Sequence, residues 1–428
     1  MPLKNHARSP SVEVAVNNGG EAPHYVKSLT LGILAVLLGF QISGWVFAIT
    51  AVQEGRVDFR SFYAAGYLIR TGRSHLLYDY SSQVFFQNLI VSARSMALPF
   101  IHPPYEALIF VPFSYLRFRT AYFAYLLFNV ALLAISARLM RTWTSNLDQI
   151  YPWLSTAMMF LFLPTVVAFM QGQDSIVLLL CLTATFAALE RGHEGVAGIF
   201  LSLGLFKFQI VLPIALLFLC WRRWRFFAGF AFSAFALGVG SLAMAGFEGA
   251  RSYLQLLLSI SVRLGSQSEQ ATLGIPPLMM PNLRGLIFGL FSSVMSPARN
   301  QITVLVLSAI CMLVTFAWSP QTWRPTSGFL IAVLVSVIIS YHSLIHDMSI
   351  LLLPILVILN QCIQGVRESG SLERTVVEVT ALAFISPMLF LFSPGHFYLV
   401  SLALCAFLYA ALRWTRSANF SNSTVTRI

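Results

Sequence analysis

The chain has 428 residues, 57% hydrophobic and only 10% charged, with a formal net charge of +11 and a mean hydropathy of +0.76. Soluble domains are about a quarter charged, so the composition excludes a soluble globular protein and predicts an all-α polytopic membrane protein. The positive charge does not signal a nucleic-acid partner, because no compact basic domain exists to bind one; Arg and Lys at the inner face of a membrane account for it.

Residues 1–27 are polar and contain Pro, Gly and Asn, which predicts a disordered cytoplasmic tail. Leu29 to Val52 is the first apolar run. Lys27 precedes it and no small-residue cleavage site comes after it, so it is expected to be an uncleaved anchor with the N-terminus inside. Residues 53–118 then form the first outer loop. Glu54 and Asp58 are the first carboxylates beyond the first span, and position alone does not choose between them. Phe62, Tyr63, Tyr67, Leu68, Leu76, Leu77 and Tyr78 interleave with Arg60, Arg70 and Arg73, which predicts short helices lying along the membrane surface. His102-Pro103-Pro104 opens an apolar piece to Leu116 that is short against the roughly 20 residues a span needs, hence a surface or re-entrant element.

Further spans are predicted at 119–140, 152–170, 174–189, 196–208, 209–221, 226–246, 302–319, 326–341, 348–361, 375–392 and 396–413. With the first, this gives about twelve transmembrane helices, a membrane domain over 28–414, a second large outer loop over 247–301 and a cytoplasmic tail over 415–428. Arg138, Arg141, Arg191, Arg222, Arg223, Arg225, Arg324, Arg367, Arg374, Arg413 and Arg416 fall inside on this map, while the short outer turns carry no Lys or Arg. Making 103–117 a full span would reverse the later segments and put Trp221-Arg222-Arg223-Trp224-Arg225 outside, so that version is rejected.

Cys181, Cys220, Cys311, Cys362 and Cys405 lie in or near apolar runs without CxxC spacing and read as small buried hydrophobes. The two shortest spans meet at Phe206-Lys207-Phe208-Gln209, a break of the kind that lines a polar cavity. On this topology Asp58, Arg60, His102, Glu106, Asp174, Lys207, Arg284, His342, His346 and Asp347 gather at the outer face from distant segments. Ionisable groups at membrane depth are costly and point to function. Bland roles compete. Asp58 and Asp174 can each cap an adjoining helix, Lys207 can snorkel to the surface, and Asp347 can simply pair with a cation. Tyr63 can be an interfacial anchor. His102 and Glu106 have metal-ligating chemistry, but no third ligand at helical spacing accompanies them, so no metal ligand is assigned.

Several stretches, in order, resemble glycosyltransferase family 87. They are Asp58-Phe59 with Phe62-Tyr63-Ala64-Ala65-Gly66, Leu77-Tyr78-Asp79, His102-Pro103-Pro104-Tyr105, Gly172-Gln173, Leu205-Phe206-Lys207-Phe208-Gln209, Pro281-Asn282-Leu283-Arg284-Gly285-Leu286, and Tyr341-His342-Ser343 to His346-Asp347. The resemblance spans about residues 28–400. It implies a GT-C-type fold, a polyprenyl-phosphate sugar donor (mostly mannose), and a catalytic Asp58. Two departures stand out: Lys207-Phe208 where the family usually has Lys-Pro, and His346-Asp347 where Tyr-Asp or a similar pair is usual.

A sugar on a lipid phosphate already has a good leaving group, so one carboxylate base suffices to deprotonate the acceptor hydroxyl in an inverting displacement. Glycosidases instead need a carboxyl pair across the bond. Asp58 is assigned as that base, with Lys207, Arg284 and His346 as donor-phosphate cations. Gln173, Asn282, Gln209, Tyr63 and Asp347 are assigned to substrate binding. The expected activity is hexose transfer, most simply of mannose, to a glycolipid or glycan acceptor at the periplasmic face of a bacterial inner membrane. Both termini are expected to be cytoplasmic. Membrane lipids are the remaining partner, and no cofactor is assigned. The alternatives are a lipid-linked sugar flippase or transporter, which would want matched broken helices in two halves, and an outward-facing glycan polymerase or ligase.

Overall fold

The computed structural model describes residues 24–90, 98–263, 276–318, 324–367 and 370–425. The expected tail over 1–27 therefore lies almost wholly outside them. Among the described residues every regular element is helical. The first half of the chain forms α1 (His24–Gln53), α2 (Phe59–Arg70), α3 (Tyr80–Ile90), α4 (Pro104–Phe110), α5 (Phe118–Met140), α6 (Ser145–Ile150), α7 (Leu154–Leu161), α8 (Leu163–Gln171), α9 (Ser175–Glu190), α10 (Glu194–Leu203), α11 (Phe208–Cys220) and α12 (Trp224–Arg263). The second half forms α13 (Leu283–Phe291), α14 (Pro297–Trp318), α15 (Pro325–Ile339), α16 (Leu352–Arg367), α17 (Ser371–Ile385) and α18 (Val400–Val425), with shorter turns between them.

Among the described residues seven helices are long and apolar enough to cross a membrane, or nine if the bent pairs α7–α8 and α10–α11 each count once; α9 and α15 are shorter apolar helices. This is a polytopic all-α membrane protein. The two short spans expected at 196–208 and 209–221 are the arms of one unit bent by 67°. Its ends come together: Arg223 Nη1 is 3.2 Å from Glu194 Oε1. Gly198 allows α10 to touch α12, since a Cβ there would lie 2.0 Å from the Phe226 carbonyl oxygen.

The layering follows apolar content. The span Ile345–Ile363 is 94% enclosed, whereas α1 and α14 bury only 6% and 11% of their apolar windows. A helix that is apolar all round and not enclosed by protein suits a lipid surface. At one end of the bundle Asn360 Oδ1 accepts the Asn146 backbone N–H at 2.7 Å, and Glu190, Thr326, Gln361 and Thr415 converge. The other end carries α2–α4, the start of α13 and the 340–347 segment.

Two expectations are corrected. The segment α2 does not lie amphipathically on a surface: Phe59 to Gly66 are all buried, with Phe59 stacked on Tyr125 at 5.1 Å. Alternating Arg and aromatic residues suggest a surface helix, but α4 and α5 pack over α2 and enclose even Arg60. The helix α12 kinks at Gly246 (φ 68°, ψ 178°), where the expected span 226–246 ends, and its second arm continues to Arg263. Cys220 is exposed at the end of α11 rather than buried.

Candidate functional site

The site is built where helix ends meet. The helix α8 ends in Gly172, whose φ of +64° favours glycine, and whose missing side chain admits Phe59: a Cβ there would lie 2.7 Å from the Phe59 Cβ. That close approach sets Asp58 against the segment 171–174. Gln173 Nε2 donates to Asp58 Oδ2 at 2.5 Å, and the Asp58 backbone N–H donates to Gln171 Oε1 at 3.3 Å. The Gln173 carbonyl is itself held by Tyr125 Oη and Asn129 Nδ2, at 3.3 and 3.2 Å. Asp58 precedes α2, yet its side chain makes no capping hydrogen bond. The capping role is therefore not the one this carboxylate plays. Glu54, its rival by position, pairs with Arg56 among exposed side chains.

Next to Gln173, Asp174 precedes α9 and likewise forms no side-chain cap. Its Oδ1 lies 3.0 Å from Lys207 Nζ. Lys207 comes from the break between α10 and α11 and also donates to Asp347 Oδ1 at 2.8 Å. It does not snorkel: the residue is only 5% exposed. Asp347 in turn accepts from Ser175 Oγ at 3.2 Å and from the Leu344 backbone N–H at 2.9 Å, and lies 3.6 Å from His346 Nε2. Asp58 and Asp174 are among the charges acting on His346.

Asn282 and Arg284 reach this end from α13. Asn282 caps α13 by accepting the Gly285 N–H at 2.9 Å and donates to the Ser340 carbonyl at 2.8 Å. Arg284 is fully buried, donates to the Tyr341 carbonyl at 3.2 Å and sits 4.3 Å over the Tyr341 ring. Gln209 Nε2 donates to the His342 carbonyl at 3.4 Å. These three therefore hold the 340–342 turn, a role that side-chain type alone does not reveal. Tyr63 is the residue the structure sets apart. Its hydroxyl donates to the Leu116 carbonyl at 2.7 Å and its ring packs on Phe59 and Phe118, so it locks α2 to the chain before α5.

A second cluster adjoins the first. His102 Nδ1 is 2.8 Å from Glu106 Oε2 and 3.3 Å from Asp174 Oδ2. Neither carboxylate oxygen of Glu106, nor His102 Nδ1, has a well-aligned hydrogen bond among the described residues. Burial pushes the Glu106 carboxyl well above the usual carboxylate range and holds the His102 imidazole down at about 4. By sequence His102 and Glu106 are a pair without a third ligand; Asp174 joins them only through the fold. Tyr78 fixes this corner by donating to the His102 carbonyl at 2.8 Å.

Beside both clusters lies a cavity of about 380 Å³, lined by Tyr105, Leu205, Phe208, Leu237 and Tyr253 among others. Its wall is apolar. Asp58, Lys207, Arg284 and His346 converge on one end of the bundle but do not line this cavity. Chemically the end offers a carboxylate held by an amide, a buried ammonium between two carboxylates, and an apolar space alongside.

Residues 100–341, more than half of the chain, match the sequence model of glycosyltransferase family 87. No curated protein and no solved structure matches the chain.

Proposed function

The chain belongs to glycosyltransferase family 87, and from that premise we propose that it moves a hexose, most simply mannose, from a polyprenyl-phosphate carrier to a glycolipid or glycan acceptor. Asp58 is the general base. It takes the proton of the acceptor hydroxyl as that oxygen attacks the anomeric carbon. The bond from that carbon to the phosphate oxygen breaks with its electron pair leaving on the phosphate, and the anomeric configuration inverts. Charge building on the departing phosphate is met by the Lys207 ammonium, the Arg284 guanidinium and an N–H of the His346 imidazole at the same end of the bundle. Lys207 and His346 stand within contact distance of Asp347, and Arg284 lies beyond the 340–342 turn.

The observation that carries this reading is the state of Asp58. Its carboxylate does not cap α2 but is oriented by Gln173, which leaves acceptor capacity for a hydroxyl proton. The apolar cavity suits a prenyl chain: it runs alongside Tyr105 and Phe208, the neighbours of Glu106 and Lys207. The site end faces the periplasm of a bacterial inner membrane in this reading, with the Arg-rich turns on the cytoplasmic side.

The test uses purified protein, radiolabelled polyprenyl-phosphate mannose and a panel of glycolipid acceptors. Wild type transfers label and Asp58→Asn does not, while both bind donor. Transfer undiminished in Asp58→Asn removes the base from the mechanism. Donor crossing a vesicle membrane without any transfer product indicates the flippase alternative.

A further inference from the structure

We propose that His102, Glu106 and Asp174 form a binding site for a divalent cation of the zinc–manganese class, a site independent of which sugar the protein transfers. The three residues place one nitrogen and two carboxylate oxygens within 4.8 Å of one another. Zinc binds such ligands at about 2.0–2.2 Å, which puts neighbouring ligand atoms about 3.3 Å apart in a tetrahedron. The 3.3 Å from His102 Nδ1 to Asp174 Oδ2 already has that spacing. The 2.8 Å to Glu106 Oε2 needs only a small opening.

Three observations favour a cation over a structural cluster. The side chains of Glu106 and Asp174 are wholly buried, and neither oxygen of Glu106 nor Asp174 Oδ2 has a hydrogen bond of proper geometry among the described residues. Buried polar atoms are ordinarily satisfied, so carboxylates of this kind facing one imidazole nitrogen call for a shared partner. The charge balance points the same way. Among the described residues Lys207 is the one ammonium paired with Asp174, and it is shared with Asp347. Asp174 and Asp347 thus share a single fixed positive charge, and a divalent ion on the free side of Asp174 would relieve that sharing. Finally, the ligands are held from outside, as metal sites require. Lys207 lies against Asp174 Oδ1 and leaves Oδ2 for the ion, and Tyr78 anchors the His102 backbone. The His102 side chain keeps 12% of its surface exposed, a way in for the ion.

The choice within divalent metals rests on the ligand set. An imidazole with two carboxylates suits Zn²⁺ or Mn²⁺ better than Mg²⁺ or Ca²⁺, which prefer oxygen alone. The ion would tie α4 to the start of α9, one residue from the Gln173 that orients Asp58. Asp174 is then a shared element: one oxygen on the ammonium, the other on the metal.

The test is metal binding to the full-length protein in detergent with no sugar donor present, so its outcome is separate from that of the transferase reading. After chelator treatment, Zn²⁺ or Mn²⁺ is added back and bound metal measured by mass spectrometry. One ion per chain in wild type, with binding at least tenfold weaker in Glu106→Gln and in His102→Gln, is expected. Retention of full binding by both variants puts the ion elsewhere and overturns the assignment, as does the absence of stoichiometric binding. Should a variant fail to fold, wild type alone decides. The pulsed EPR spectrum of bound Mn²⁺ should show coupling to one imidazole nitrogen, and a spectrum without it refutes the site.

Discussion

Gln173 Nε2 lies 2.5 Å from Asp58 Oδ2, a hydrogen bond between the end of one bent pair and the residue before α2. It fixes one carboxylate oxygen while the Asp58 backbone is fixed by Gln171. A hydrogen bond to a charged group contributes about 1.5–3 kcal/mol. Gln173→Leu is therefore expected to reduce sugar transfer by about 10- to 100-fold while leaving the thermal midpoint in detergent close to wild type. Steady-state kinetics on the two proteins check this. Full activity in the variant would show that the amide does not orient the base.

Lys207 is enclosed with Asp174 and Asp347 as its partners. Removing one member of a buried ion pair costs about 3–5 kcal/mol, because the remaining charge has no compensation. Lys207→Met should lower the thermal midpoint accordingly, and the double variant Lys207→Met/Asp347→Asn should recover part of the loss. A double-mutant cycle with no coupling would contradict the pairing.

Gly172 has a positive φ, and a Cβ there would meet the Cβ of Phe59. An L-residue in that conformation costs about 1–2 kcal/mol before any clash. Gly172→Ala should destabilise the protein by at least that and also lower turnover, since Phe59 adjoins Asp58. Loss of stability with unchanged turnover would separate the glycine from the site.

His342 lies in the turn after α15, where Asp347, Lys207, His346 and Arg284 act on it. Burial is the largest effect and holds its imidazole down at about 4, against roughly 6.5 in an unfolded chain. The unfolded chain takes up this proton as pH falls through about 6.5, whereas the folded protein waits until about 4. The stability contributed by the neutral ring is thus complete above 6.5 and lost on acidification across that window. His342→Gln should flatten that part of the profile of thermal midpoint against pH. A slope identical to wild type between pH 6.5 and 4 would refute it.

Much of the candidate site's membership is legible because charge is rare in this chain. With so few ionisable residues, each one near an expected helix end stands out, as Asp58, Lys207, His346 and Asp347 do. Glu54 and Asp58 are equivalent by position along the chain, since both lie just beyond the same span. The family resemblance singles out Asp58, and the structure gives that carboxylate, not Glu54, the Gln173 amide. Tyr63 shows the opposite failure. An aromatic with a hydroxyl near a membrane surface reads as a binding platform, yet its hydroxyl serves a neighbouring carbonyl inside the aromatic core. The capping role open to Asp174 fails for a related reason. Helix position makes it a cap, but a lysine from another helix claims its carboxylate.

The sequence alone determined the all-helical membrane architecture, because hydrophobic length and the need to satisfy every backbone group in lipid leave a long apolar run few choices. It also determined which residue types were available for chemistry. The tertiary structure decided the partnerships: which carboxylate meets an amide, which two share the ammonium, and which histidine stands beside a buried acid. Those depend on distances of about 3 Å between residues on different helices. Such distances are set by how bent helices and glycine contacts seat the segments against one another, and no local pattern of residues encodes them.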